Sequence, residues 1–354
     1  MLDINELNDI PSWDEKLKTD GSPIYIYGMG NGCEKVLEMF EGKGLRCEGI
    51  FTSDDFIRDR KFHGFPLISI SDLEASRPNF SIACAFGTHL PEVISRIRAL
   101  AARHTLVYPD TAVAGKGGLN KDALLQRKDD ILSVYELLCD ERSKKLFTNL
   151  LRFKISGNIS YLTDSSDSEE LYRELIRPED NEIYTDIGAY NGDTVSEFVE
   201  AVGGKYKHIF AVEPARRNYS KCVKNCTALD NITLINAAAS DRDCEGVFSD
   251  GAGRQQTIAS KGTPVRLIKV DTLLKNTGCT YIKYDVEGED IPALIGSSYV
   301  INKFQPKIRT GIYHRPYDIL DIPLLMHRLA PKHKLYIRRK DCLPAWDTEL
   351  FAIP

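Results

Sequence analysis

The chain has 354 residues, a formal net charge of −5, 42% hydrophobic and 27% charged residues. Two ordinary domains fit that length, and the composition is that of a globular protein rather than a disordered one. The balanced charge argues against nucleic acid as the main partner, and no apolar run approaches the ~20 residues of a membrane helix.

The opening MLDINELNDIPSWDEKLKTD is acidic and polar, unlike a secretory leader, so a cytoplasmic location is expected. PIYIYGMGNG then reads as a strand ending in glycines, and CEKVLEMFEGKG carries helical spacing at Val36, Leu37 and Phe40. CEGIFTSDD, FPLISISDLEAS and SIACAFGT supply further strands with turn residues between them. This alternation predicts a smaller doubly wound α/β domain over 1–110. Residues 111–175 predict a helical connector of two or three helices, followed by a turn and a helix start at TDSSDSEELYRE. From 182 the alternation restarts, with strands at EIYTDIG, HIFAVEP, ITLINAA, YIKYDV, IRTGIY, KLYIRRK and ELFAI. A turn-rich stretch between the third and fourth predicts an irregular hairpin. No helix separates the last two, so an antiparallel pair closes a mostly parallel sheet over 176–354. The nine cysteines include no CxxC pair, and the seven histidines form no cluster; buried reduced thiols are expected.

Two glycine turns compete for a ligand. The first, Gly28-Met29-Gly30-Asn31-Gly32, follows a strand and opens a helix, but Cys33 stands where a dinucleotide fingerprint has its third glycine. Asp54 and Asp55 are ribose partners there if the second strand ends near Phe51. A nicotinamide-dependent oxidoreductase, or a non-catalytic nucleotide-sugar-binding protein, would use this loop. The second turn runs from Thr185 to Thr194: Asp186 ends a strand, Gly188 permits a tight turn, and Gly192 lets backbone pass close to a ligand. About 20 residues on, Glu213 ends the next strand, where an acid accepts both ribose hydroxyls. Asp186 and Asp193 would repel a pyrophosphate. S-adenosylmethionine, with an amino group, a sulfonium and a ribose, suits these acids. Its expected partners are Asp186, Gly188, Tyr190, Asn191, Gly192, Thr194 and Glu213, with Ala238 on the adenine side.

DIGAYNGDT, AVEP, NAAASD and IKYDVEGED, with YELLCDERSKKLF upstream and GIYHRPYDILDIP downstream, resemble the FkbM family of S-adenosylmethionine-dependent methyltransferases over residues about 130–354. IRRKDC departs from the family's aromatic-rich ending. The resemblance implies a class I methyltransferase Rossmann-like sheet and O-methylation of hydroxyls on sugars, glycolipids or polyketide-type products, and thus a role such as polysaccharide modification. The first domain more loosely resembles small nucleotide-binding-like modules that precede some sugar-modifying enzymes.

In YIKYDVEGED, Ile282, Tyr284 and Val286 alternate with Lys283, Asp285 and Glu287. The charged set then lies at the carboxyl edge of the sheet, where ligands collect. Asp285 is the expected base for an acceptor hydroxyl and His314 the second choice, held by Asp318 unless that residue caps the following helix. Lys283 borders the same place or ion-pairs with Asp285. Glu289 and Asp290 read as acids of a first helical turn. Asp285, Glu287 and His314 offer metal-type ligands, but their spacing matches no motif and no metal is expected. A small-molecule or glycan acceptor is the expected partner; a homo-oligomer is left open.

Overall fold

The computed structural model describes residues 2–57, 61–163, 165–248 and 262–354. The first half builds one sheet from β1 (Ile24–Tyr27), β2 (Cys47–Thr52), β3 (Lys61–Phe62), β4 (Phe65–Ser69), β5 (Ser81–Cys84) and β6 (Leu106–Val107), in the order β3-β4-β2-β1-β5-β6. All pairings are parallel except β3 with β4. The central strand, β1, is buried along its whole length, as a strand covered on both faces must be. The helix Asn31–Lys43 buries Cys33, Val36 and Phe40 on one of those faces. It ends at Gly44, whose φ of +63° closes the helix in the left-handed form glycine adopts at low cost.

The second half holds a seven-stranded sheet of β7 (Ile183–Ile187), β8 (His208–Val212), β9 (Ile232–Ile235), β13 (Tyr281–Tyr284), β14 (Lys307–Gly311), β15 (Lys334–Arg339) and β16 (Thr348–Ile353). Its order, β15-β16-β14-β13-β7-β8-β9, is parallel except for β16, which slots antiparallel between β14 and β15. This is the class I methyltransferase sheet that the sequence resemblance implies. The short link from β15 to β16 leaves no room for a crossover, so β16 returns antiparallel. The expected hairpin is present in a separate small sheet, where β11 (Cys244–Phe248) pairs antiparallel with β12 (Thr263–Ile268), and β10 (Ala238–Ala239) lies parallel to β12. Its turn, 249–261, lies outside the described residues.

Between the sheets run three helices, Lys121–Gln126, Lys128–Leu137 and Glu141–Ser156. Their apolar residues do not bridge a gap. Phe147, Leu150 and Leu151 share one buried cluster with Tyr27 and Phe51 of the first sheet and Ile282 and Leu320 of the second half. Polar contacts seal the same junction: Cys139 N–H donates to the Leu335 carbonyl at 2.9 Å, and Arg338 pairs with Asp140 at 2.6 Å. β7 lies between β13 and β8, so the chain reverses its strand order there. The crevice at the carboxyl ends of these strands is where a ligand fits in such a sheet.

Candidate active site

The turn after β7 is shaped by glycine. Gly188 has a φ of +90°, and a Cβ on it would collide with the carbonyl oxygen of Asp285. Gly192, at +85°, opens the helix Asp193–Ala201 and leaves no space for a side chain either: a Cβ would stand 2.9 Å from the Cys226 sulfur. Gly188 and Ala189 both donate to the Val212 carbonyl, pinning the turn to β8. Asn191 caps it, accepting from Asp193 N–H at 3.1 Å, while its own carbonyl accepts from Asn225. Tyr190 sits at φ +48° with its ring half exposed.

Glu213 organises the same turn from β8. One carboxylate oxygen accepts from Tyr190 N–H and the other from Ala215 N–H, both at 2.9 Å. The Asn218 side chain adds a third hydrogen bond, and the carboxylate still has acceptor capacity to spare. Burial pushes this carboxyl up to about 7, against the opposing pull of those two N–H bonds. The side chain of Asn236 donates to the Glu213 carbonyl at 2.8 Å and fixes the strand end. Ala238, expected on the adenine side, packs with Val265 and Leu267 of the small sheet. Asn236, just beyond β9, also joins the Glu213 cluster.

A row of charge crosses the mouths of three strands. Asp186 has no exposed surface; it accepts from the Thr194 hydroxyl, and its other oxygen lies 3.4 Å from Lys283 Nζ. Lys283 in turn reaches Asp285 at 3.8 Å. Burial opposes its charge, but Asp186 and Asp285 outweigh that and raise its pKa, so it stays cationic. Lys283 thus links the acid that ends β7 to the one that follows β13. Asp285, with 40% of its side chain exposed, presents its Oδ1 3.1 Å from His314 Nε2. The His314 Nδ1 lies 2.9 Å from Asp290 Oδ2. The imidazole is fully buried, which disfavours its charge, yet Asp290 and Asp285 lift its pKa well above the usual range.

Asp290, read from the sequence as a helix-opening acid, is thus the residue that holds His314. Asp318 does not: one of its oxygens accepts from Arg315 N–H at 2.8 Å, at the start of the helix Asp318–Leu329. Burial pushes Asp318 up to about 7, with Asp290 adding to the rise. Glu289 pairs with Arg315 at 3.1 Å. The first half of the chain also reaches this place. Ala114 N–H donates to the His314 carbonyl at 2.9 Å, and Ala114 packs on Gly288; Lys35 holds the same segment through the Ala112 and Val113 carbonyls. Sequence spacing carries no signal for that contact, which joins residues 200 positions apart.

The first glycine turn is crowded at one end and open at Gly30. The Phe86 ring leaves no space beside Gly28, and the Trp346 indole presses on Gly87. Asp54 is engaged with Ser71, whose hydroxyl donates to it at 2.7 Å.

Residues 186–334 match the methyltransferase FkbM domain model. Among solved structures, the chain is similar to the methyltransferase FkbM from Methylobacillus flagellatus KT: 18% identity, TM-score 0.74, covering 99% of this chain and 96% of that one. That likeness is one of fold, and it runs through both halves. Aeropyrum pernix fibrillarin, solved with bound S-adenosyl-L-methionine, aligns at 12% identity and TM-score 0.36 over 52% of this chain and 72% of its own. A SAM-dependent methyltransferase from Aquifex aeolicus aligns at 10% identity and TM-score 0.33 over 63% and 97%. No curated protein matches the chain. Among the described residues no helix is long and apolar enough to cross a membrane. In sequence the likeness to the methyltransferase FkbM domain is thus carried by residues 186–334, and in fold the whole chain is similar to a methyltransferase FkbM.

Proposed function

We propose that the protein is an S-adenosylmethionine-dependent O-methyltransferase acting on a hydroxyl of a sugar, glycoconjugate or related natural product. The observation that carries this reading is the placement of two acids on either side of one glycine turn. Glu213 stands behind the Tyr190 end of the turn, and Asp285 stands against Gly188 at its start. The residues fit the donor. A ribose would find the spare lone pairs of Glu213, and the negative row from Asp186 to Asp285 suits a cation. Asp186 itself is enclosed, so its part is to hold Thr194 and Lys283 rather than to touch the ligand.

When bound, S-adenosylmethionine supplies an electrophilic methyl group. The chain's own residues do the rest. The glycine turn fixes position, which carries much of the acceleration of such a displacement. Asp285, exposed toward the crevice, receives the proton of the acceptor hydroxyl; a placed base contributes ~10²–10⁴ in rate. His314, held by Asp290, orients that carboxylate. The nicotinamide alternative draws less support, because the Phe86 ring stands against Gly28 and Cys33 replaces the third glycine of a dinucleotide fingerprint.

Calorimetric titration with S-adenosylmethionine, its demethylated product, NADH and a UDP-sugar tests the reading. Micromolar binding of the first two alone is expected, followed by transfer of labelled methyl to hydroxyl acceptors. Binding of NADH or the UDP-sugar without S-adenosylmethionine overturns it.

A further inference from the structure

We propose that Asp290, His314 and Asp318 hold one divalent transition-metal ion, of the Mn²⁺ or Zn²⁺ kind, behind the Asp285 carboxylate. The three residues come from separate places in the chain. Asp290 opens the helix after β13, His314 follows β14, and Asp318 opens the helix beyond it. Each offers one ligand atom, and these atoms all lie within 4.8 Å of one another. An ion with bonds of ~2.1 Å sets opposite ligands at most ~4.2 Å apart, so the three side chains close in by no more than about 0.6 Å to meet one ion. The residues are 1%, 0% and 3% exposed, which separates them from the solvated acid clusters common on protein surfaces.

An independent observation points to a ligand. The Oδ1 of Asp290 is buried and has no hydrogen-bond partner. A buried carboxylate oxygen without a partner is costly, and such atoms are rare unless an ion or water completes them. The local charge agrees. Asp285, Asp290 and Asp318 surround a single imidazole, while the nearest other cations are engaged elsewhere. Lys283 serves Asp186 and Asp285, and Arg315 serves Glu289 and the Gly288 carbonyl. A divalent ion matches the acid left over. One imidazole with two carboxylates is a mixed set, which favours Mn²⁺ or Zn²⁺ over Ca²⁺.

The arrangement has a consequence for Asp285. With Nδ1 on the ion, the ring keeps its proton on Nε2, which lies 3.1 Å from Asp285 Oδ1. Metal-bound histidines commonly donate their second N–H to a carboxylate, which fixes the ring; the buried Nε2 makes no hydrogen bond here, so a small turn of the Asp285 carboxylate closes that contact when the ion binds. The ion would then set the direction of the acceptor-facing carboxylate without touching the acceptor. Glu287, a metal-type ligand by its chemistry alone, is not part of this group.

The test needs neither methyl donor nor acceptor, so its failure leaves the methyltransferase reading standing. The full-length protein, stripped with a chelator, is titrated calorimetrically with MnCl₂. One ion per chain with micromolar or tighter affinity is expected, and no binding up to millimolar concentration overturns the proposal. Electron spin-echo spectra of the Mn²⁺-loaded protein should carry modulation from one imidazole nitrogen; its absence also overturns it. Asp318→Asn should weaken binding at least tenfold while melting no lower than the parent without metal. Unchanged affinity in that folded variant places the ion elsewhere.

Discussion

Gly188 and Asp285 touch through their backbones: the first residue of the glycine turn lies so close to the carbonyl of the proposed base that no side chain fits between them. This contact sets donor turn and acceptor acid in one rigid unit. Gly188→Ala adds a collision to a φ of +90°, where a side chain alone costs ~1–3 kcal/mol. The variant should melt several degrees lower and bind S-adenosylmethionine at least tenfold more weakly. Calorimetry showing parental affinity would separate the turn from the donor.

Lys283 stands between two acids and is almost fully buried. Lys283→Met leaves Asp186 enclosed without its cation. Removing one partner of a buried pair costs about 3–5 kcal/mol. Urea denaturation should register that loss, and Asp186→Asn placed in the same chain should recover part of it. A variant as stable as the parent rules out the pairing as a structural tie.

Asp285→Asn keeps the shape of the side chain and removes its capacity to take a proton. Donor affinity should stay within about threefold, because the turn is held by main-chain contacts. Turnover should fall by ~10²–10⁴. Normal turnover with a hydroxyl acceptor discards Asp285 as the base.

Glu213 gives a pH dependence of known sign. Its carboxyl is raised from an ordinary 4.5 to about 7, mainly by burial. The folded state holds this proton more tightly than the unfolded chain does. Stability from this group is therefore complete below 4.5 and declines as pH rises toward 7. Glu213→Gln, which cannot ionise, should match the parent at pH 4.5 and melt progressively higher than it by pH 7.5. Donor affinity should move the other way, since ribose hydroxyls donate best to the ionised group. Parental affinity should strengthen through pH 7, and that of the variant should be weak and flat.

Much of this was readable in the chain. YIKYDVEGED alternates with period two, and the structure keeps that parity: Ile282 and Tyr284 join the main core, while Lys283 and Asp285 line the crevice. EIYTDIG and HIFAVEP end where their acids and glycines suggested, with Glu213 against the turn. The missing helix between the last two strands announced their antiparallel pairing. Which charges would meet was less legible. His314 and Asp318 are close in sequence, but the helix start turns Asp318 toward Arg315. Asp290 reaches the imidazole instead because the chain reverses at Glu287 and Gly288, at φ of +51° and +92°. Lys283, offered by the sequence as an ion-pair partner of Asp285, also meets Asp186 across the strand pairing, which allows it to be buried.

The sequence by itself determined what depends on neighbours along the chain: which segments become strands, which face each residue takes, and where only glycine can turn. Those preferences are local, set by the pleat and by allowed backbone angles. Only the tertiary structure decided which charges meet. It brought Asp290 to His314, Lys283 to Asp186, and Ala114 from the other half of the molecule onto the His314 carbonyl. Such pairings depend on how separate loops lie across one sheet edge, and on buried ions requiring partners wherever the fold supplies them.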